Sequence, residues 1–416
     1  MSGDHPRILV VSPIPLLPVV GGGPQRVVQY IEYFRSAGFQ VHLAIFDDGH
    51  LQVPDLEALV DELHIYTPAG TTSRNAEARR DAGWAKRLWR QLPVQLRENF
   101  RRSFRQRRYL PHAQRPSYLD QRRLPAFDTF VGVVAHQTQP RAVIASYAWT
   151  ARAFDAIPDE ALSIIDTIDI QHLRAQGGSD AGYDLSRINV SRDEESRELA
   201  RAQVLLAIQS EERDVLQSMC PDARVLLIEH GVPIPERRQT PADAQEILFV
   251  GSLYEPNIEG IKRFIGTAWP AVREQHPDCV LTICGRVCEA LNETPPGVVL
   301  EGIVPKLDPY YRRATLVVNP VPFGSGLKIK TVEALAFAKC LITTESGVAG
   351  LPARDEEPYC LVCELDEMAA ATLELLEDAF RRSAFEEAAY QLAWDRFSPE
   401  TVYAPLEALI RETPAY

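Results

Sequence analysis

FGSGLKIKTVEALA, residues Phe323–Ala336, decides how this chain is read. The stretch follows TLVVNP (Thr315–Pro320), an apolar run of the length and β-branched content of a buried strand. It turns through Gly324, Ser325 and Gly326 and enters a segment with Ile329, Val332, Leu335 and Ala336 at helical spacing. A glycine-rich turn that feeds a helix at the end of a strand makes an anion site, because unpaired backbone N–H groups and the positive end of the helix dipole meet there. Lys328 and Lys330 add two cations in the expected first turn. Cations there oppose the dipole, so a bound anion is the natural compensation. Glu333 lies one turn further on, placed to accept hydrogen bonds from hydroxyls. Together these residues form a plausible cradle for a nucleotide diphosphate-sugar.

Outward from this stretch, strands and helices alternate. Apolar runs at Arg7–Pro13, Gln40–Phe46, Leu63–Pro68, Ala142–Tyr147, Leu162–Asp169, Val204–Gln209 and Ala223–Gly231 read as strands. Helices are expected at about 24–37, 55–62 and 185–202. Val232–Ala244, rich in Pro, Arg and Gln, reads as a linker. The pattern restarts at Glu246–Leu253, continues through a helix at about 257–275, and adds strands at Cys279–Arg286, Gly297–Val304, Thr315–Pro320, Cys340–Thr344 and Tyr359–Glu364. Such alternation implies parallel, doubly wound sheets: an α/β chain of two Rossmann-like halves facing a cleft, spanning 1–235 and 245–398. Ligands of such sheets bind beyond the carboxyl ends of the strands.

Composition narrows the function classes. The chain has 416 residues and a net charge of −13, which argues against a general nucleic-acid binder. No apolar run approaches the roughly 20 residues of a spanning helix. The segment Arg7–Val20, broken by Pro13, Pro15 and Pro18, does not resemble a signal peptide, so a cytoplasmic location is expected. All seven cysteines lie from Cys220 onward. The pairs Cys360/Cys363 and Cys284/Cys288 sit on apolar runs without nearby histidines, and buried free thiols are the preferred reading over zinc or redox chemistry. Charge is uneven: residues 74–123 hold fifteen Lys/Arg against four Asp/Glu, a local net of +11 that leaves −24 on the remainder. Within this basic insert Trp84, Leu88, Leu92, Leu96, Phe100 and Phe104 recur about every four residues among arginines. An arginine-rich helix with an aromatic face can lie on anionic lipid, so Trp84–Arg108 is a candidate for peripheral contact with the inner membrane. Packing of the insert on the first half is slightly preferred.

Three blocks carry a family resemblance: GGGPQRVVQYIEYFRSAGFQVHLAIF (21–46), ILFVGSLYEPNIEGIKRFI (247–265) and FGSGLKIKTVEALAFAKCLITT (323–344). They resemble retaining glycosyltransferases of the GT-B fold, of the glycosyltransferase family 4 type, over nearly the whole chain outside the basic insert. The resemblance implies a nucleotide-sugar (NDP-sugar) donor held by the second domain and an acceptor hydroxyl held by the first. It also implies closure across the cleft, no required metal and no cofactor. The family's last helix crosses back to the first domain, which suits residues 399–416.

Carried over residue by residue, Glu333 matches the family's distal glutamate, which bonds the ribose. The proximal position, which contacts the transferred sugar, is Ser325, a hydroxyl where the family has a carboxylate. Lys328 and Lys330 match a subgroup in which lysine neutralises the diphosphate. The Arg and Lys that many members carry after the first strand of the second domain are replaced here by Gly251, Ser252 and Leu253. That makes Lys328 and Lys330 the better diphosphate candidates. Gly22 and Gly23 match the loop that approaches the diphosphate, where a Cβ would obstruct. Gly251 and Ser252 after the first strand of the second domain, with Gly324, Gly326 and Leu327 of the turn, complete the donor set.

His230 stands where the family often has Asn, next to the cleft, and a donor contact is expected. Tyr147 and Trp149 stand where many members have a His, and are acceptor candidates. In DTIDIQHLRAQ (166–176), Asp166 and Arg174 are candidates for acceptor contact, with Asp169 or His172 polarising a hydroxyl; capping and ion pairing weigh evenly against this. In such retaining enzymes the departing phosphate itself can take the acceptor proton, so no strong protein base is obligatory. Two other classes stay open: a GT-B nucleotide-sugar epimerase, and a non-catalytic nucleotide- or glycan-binding module.

Overall fold

In the computed structural model the described residues are 5–19, 21–49, 51–68, 117–180, 188–237, 245–292, 294–324, 326–352 and 358–414. Ser325 and most of the basic insert, including Trp84–Arg108, lie outside them.

The first half forms a seven-stranded sheet from β1 (Arg7–Ser12), β2 (Gln40–Phe46), β3 (Glu62–Tyr66), β4 (Ala142–Ser146), β5 (Leu162–Asp166), β6 (Val204–Ala207) and β7 (Arg224–Leu227). The second half forms a six-stranded sheet from β8 (Glu246–Val250), β9 (Val280–Cys284), β10 (Val298–Gly302), β11 (Leu316–Asn319), β12 (Cys340–Thr343) and β13 (Leu361–Val362). Strand orders are β3-β2-β1-β4-β5-β6-β7 and β10-β9-β8-β11-β12-β13. All pairings are parallel. Both sheets therefore reverse direction of growth, between β1 and β4 and between β8 and β11, and open a crevice at each reversal.

The central strands are buried on both faces, as continuous runs such as ILVV in β1 and AVIAS in β4 require. The helices that matter below are α1 (Gly22–Ser36), α2 (Pro125–Thr138), α3 (Gln171–Asp180), α4 (Arg192–Leu199), α5 (Ser210–Met219), α6 (Glu255–Arg263), α7 (Asp308–Arg313), α8 (Ile329–Ala336), α9 (Ala379–Phe397) and α10 (Pro399–Glu412). The strands were legible in the sequence to within a few residues. Helix α2, inside a stretch assigned only to the insert and its flank, was not. The helix expected at 257–275 is α6, a π turn over Phe264–Ala268, and a short helix Trp269–Gln275, because Pro270 removes a backbone donor in mid-run.

Helix α10 packs on the first half. Val402, Tyr403, Leu406 and Ile410 join the core made by Ile8, Val10, Tyr30 and Phe34. Tyr403 meets the Tyr30 ring edge-on at 6.5 Å. The chain passes between the halves at two places that touch: Val232 N–H donates to Phe397 O at 2.8 Å. Arg396 grips both oxygens of Glu229 at 2.8 and 2.6 Å, beside the same place.

Beneath the cleft lies a fully buried ion pair. Arg26 of α1 donates through Nε to Asp166 at the end of β5 (2.8 Å), and its terminal nitrogens donate to the carbonyls of Glu229 and Ile228. Each of its three nitrogens has a partner, which is the condition under which a buried guanidinium is tolerated. The arrangement joins the amino-terminal part of α1, the carboxyl end of β5 and the segment after β7.

Candidate functional site

The segment from β11 to α8 folds as the Gly-turn reading required. Gly324 (φ 131°) and Gly326 (φ 77°) occupy backbone conformations that L side chains rarely adopt. Helix α8 starts at Ile329, so Lys328 is the residue that precedes it and Lys330 is inside its first turn. Thr331 accepts from Asn319 Nδ2 and donates to Gly347 O, both at 2.9 Å, which pins that first turn to the ends of β11 and β12.

The two lysines are held inward. Lys328 Nζ donates to Gly324 O (3.0 Å) and Gly326 O (2.7 Å), tying down the turn it follows. Burial pushes its ammonium down to about 8, against the opposing pull of Asp169 and Glu212. Lys330 Nζ donates to Asn257 Oδ1 at 2.5 Å and sits 4.6 Å above the Phe249 ring. Burial, and then the charge of Lys328, hold it well below the ordinary lysine range. Asn257 in turn donates to Ser252 O and Oγ at 3.1 and 3.2 Å. Ser252 thus orients Asn257, and Asn257 orients Lys330. Gly251 lies against Phe249, and its carbonyl lies 2.2 Å from where a Cβ on Gly285 would stand. Leu327 is buried in the core of the second half, so only its main chain faces the turn.

Glu333 is half-buried and bridges the halves. It accepts from Tyr311 of α7 at 3.1 Å and from Gln25 in the first turn of α1. Burial raises its carboxyl to about 7 against both bonds. Helix α1 begins directly opposite: a Cβ on Gly22 would stand 2.6 Å from Ile329 Cδ1, and one on Gly23 2.3 Å from Tyr147 Oη. Tyr147 itself has φ 71°, and Ile168 at the end of β5 has φ 61°; such strain in non-glycine residues gathers at functional sites.

A second group of charges lines the first-half wall. Asp169 Oδ1 is 3.3 Å from where a Cβ on Gly326 would sit, and Arg174 lies 3.5 Å from Asp169 and 5.5 Å over the ring of Tyr254 from the other half. Burial raises the Asp169 carboxyl, while Arg174 and Lys328 pull it down. Glu212 of α5 joins them. Its Oε2 is buried without a hydrogen-bond partner, and burial followed by the charge of Asp169 pushes it up to about 8. The sequence reading missed Glu212. The signal was there: it stands in the first turn of α5, just beyond the carboxyl end of β6, where ligands of such sheets bind.

Three expected contacts are corrected by burial, and a fourth residue, His172, is tied to Glu195. Asp166 is bound to Arg26 with no exposed surface and cannot meet an acceptor. Trp149 is a core residue stacked behind Tyr147 (4.3 Å, 8°), with Tyr118 edge-on, so it supports Tyr147 instead of lining the cleft. His230 is entirely buried, with neither ring nitrogen bonded, and burial beside Arg26 pushes it down to about 3, so it stays neutral. It is seated there because Gly231 packs on the Tyr403 ring of α10. His172 gives Nδ1 to Glu195 at 2.8 Å, while Glu195 also accepts the N–H groups of Gln171 and His172. Glu195 thus caps the start of α3 and fixes the His172 ring through Nδ1. Lys328, Lys330, Gly22, Gly23, Gly326, Glu333, Asp169, Arg174 and Tyr147 do converge on one seam.

Known proteins share this architecture along its length. Sucrose-phosphate synthase from Thermosynechococcus elongatus superposes with a TM-score of 0.65 at 16% identity, over 98% of this chain and 99% of that one. HepE from Anabaena, solved with UDP and glucose, does so at 0.64 and 12%, over 98% and 100%. A TarM variant from S. aureus, solved with fondaparinux, alpha-GlcNAc-glycerol and UDP, reaches 0.67 at 10%, over 98% and 100%. The fold is GT-B. Residues 244–378, which hold the lysine turn, match the family described as Glycosyl transferases group 1. A curated relative, the uncharacterized 44.6 kDa protein in the cps region of Klebsiella pneumoniae, is 26% identical over 116 residues, 25% of this chain and 30% of its own length. No described helix is long and apolar enough to cross a membrane.

Proposed function

We propose that this protein is a nucleotide-sugar-dependent glycosyltransferase of the family 4 type, retaining the anomeric configuration of its donor. It transfers a hexose-type sugar to an acceptor hydroxyl of a glycan, lipid-linked glycan or small natural product. The observation that carries the reading is the pair of half-buried ammonium groups, Lys328 and Lys330, turned inward on the glycine turn of the group 1 segment, opposite Gly22 and Gly23. Cations held below their ordinary range are stabilised by an incoming anion, and the geometry offers main-chain amides as well. HepE and TarM were solved with UDP, which makes a nucleoside diphosphate the first donor chemistry to test.

In this reading the diphosphate enters between the turn and the start of α1, with Glu333 turning from Gln25 to the ribose hydroxyls. Lys328 and Lys330 stabilise the leaving diphosphate as the anomeric carbon gains positive character. The leaving phosphate takes the acceptor proton, and Asp169, Arg174 and Tyr147 position the acceptor. Ser325, in place of a carboxylate, sets a different contact to the transferred sugar. The reaction uses no metal and no cofactor. Thermal-shift screening against UDP, GDP, ADP and their sugar conjugates tests the donor, since a specific ligand stabilises by mass action. One base is expected to raise Tm and to support transfer with the donor's anomeric configuration kept in the product. Donor turnover without acceptor would favour an epimerase; no shift with any nucleotide would end the reading.

Affinity for the diphosphate is expected to peak between about pH 7 and 8. Hydroxyl donors favour ionised Glu333, so binding releases its proton below about 7 and weakens there. The bound anion raises Lys328 and Glu212, each at about 8 in the free protein, so binding takes up protons above that and weakens again. Calorimetry in two buffers of different ionisation enthalpy reads both signs; an affinity flat from pH 6 to 9.5 would contradict the placement.

A further inference from the structure

The amino-terminal end of the first sheet, opposite the cleft, gathers a different chemistry. In the pairing of β2 with β3, His42 stands beside Glu62 and Ala44 beside His64. Side chains alternate along a strand, so His42, Glu62 and His64 project from one face. His42 Nδ1 lies 3.4 Å from His64 Nε2 and 3.1 Å from Glu62 Oε2, and His64 Nε2 lies 3.6 Å from Glu62 Oε1. The two rings are stacked at 5.7 Å with 10° between their planes. Two ligand atoms bound to one tetrahedral zinc at about 2.0–2.1 Å stand about 3.3 Å apart. The separations, which reach the two different oxygens of Glu62, bracket that value, so a turn of the exposed Glu62 carboxylate brings one oxygen to both imidazoles.

The surroundings suit a cation. A cleft of about 370 Å³ opens over the three residues, bordered by Arg7, Gln40, Asp61, Gln137 and Thr138. Gln137 and Thr138 close α2, whose carboxyl end carries the negative pole of the helix dipole. Asp61 adds a second carboxylate. Arg7 opposes the site but is turned to the Thr138 carbonyl, to which it donates. Among the described residues this is the one group of three or more His, Cys, Asp or Glu side chains whose ligand atoms lie close enough together to share a metal ion.

We propose that His42 Nδ1, His64 Nε2 and one carboxylate oxygen of Glu62 bind a borderline divalent transition-metal ion of the zinc type, with a fourth position open to water in the cleft. Two imidazoles select against calcium and magnesium, which take oxygen ligands. The ion cross-links β2 to β3 at the end of the sheet away from the sugar chemistry, so its role is to clamp these strands. The sequence did not disclose the site because its residues belong to two strands joined only by register.

The test titrates metal-free full-length protein with Zn²⁺ by calorimetry and with Co²⁺ by visible absorption. One site is expected, with the d–d bands of a four-coordinate nitrogen–oxygen ion and no sulfur-to-cobalt charge transfer. Zn²⁺ is expected to raise Tm by about 2 °C or more. Glu62→Gln and His64→Ala each weaken Zn²⁺ binding at least about tenfold while nucleotide binding is unchanged. Glu62 is exposed, so its variant tests the site even if His64→Ala folds poorly. No binding, unchanged affinity in Glu62→Gln, or a thiolate spectrum from the seven free cysteines would overturn the proposal.

Discussion

Replacing Lys328 and Lys330 together by methionine is expected to lower kcat/KM by about 1,000-fold or more while shifting Tm by only a few degrees. Removal of a single preorganised donor from a developing charge costs about 100- to 1,000-fold, and here two ammonium groups go. Stability responds differently. Lysine held below its unfolded value carries fewer protons folded than unfolded, so the folded state gains stability as pH rises from about 8 and bears the full burial penalty below it. Methionine relieves that penalty and loses the bonds to Gly324 O, Gly326 O and Asn257, and the two effects oppose each other. Single-turnover kinetics beside a thermal melt separates the outcomes. Full turnover in the double variant would remove these residues from the chemistry.

Arg26→Met is expected to be the most destabilising single substitution among the residues discussed here, at about 4 kcal/mol. It strands the Asp166 carboxylate in a site with no exposed surface, the case in which breaking a buried pair costs about 3–5 kcal/mol. It also strips donors from the carbonyls of Ile228 and Glu229. Denaturant unfolding is the measurement, and the double variant Arg26→Met/Asp166→Leu should regain a large part of the loss because no lone charge remains. A loss under about 1 kcal/mol in the single variant would mean that Asp166 finds water or another partner.

The parallel architecture was legible because strands buried on both faces are written as unbroken apolar runs, ILVV in β1 or LVVN in β11, with helices between. The lysine turn was legible because Gly324 and Gly326 meet a backbone demand that few residues satisfy. What failed was the assignment of polar residues that share a strand end. Asp166 and Asp169 are three apart, and one is buried against Arg26 while the other faces Gly326. Nothing local separates them; the partner of Asp166 is 140 residues away, on the first helix. Trp149 looked like a cleft aromatic, yet it serves as the plate behind Tyr147. His230 looked like a cleft ligand because it ends a strand, and only the returning helix α10 reveals that the position is roofed over.

Gln25 reaching Glu333 and Ile329 resting on Gly22 hold the seam closed where the proposed donor would lie, so the halves are expected to part before one enters. The peptide crosses between them twice, and Val232 and Phe397 are bonded to each other at the crossing. Two tethers fastened at one spot favour swinging over sliding. Admission of substrate then becomes the opening of a jaw about a fixed pin, and the width at its mouth grows with distance from that pin.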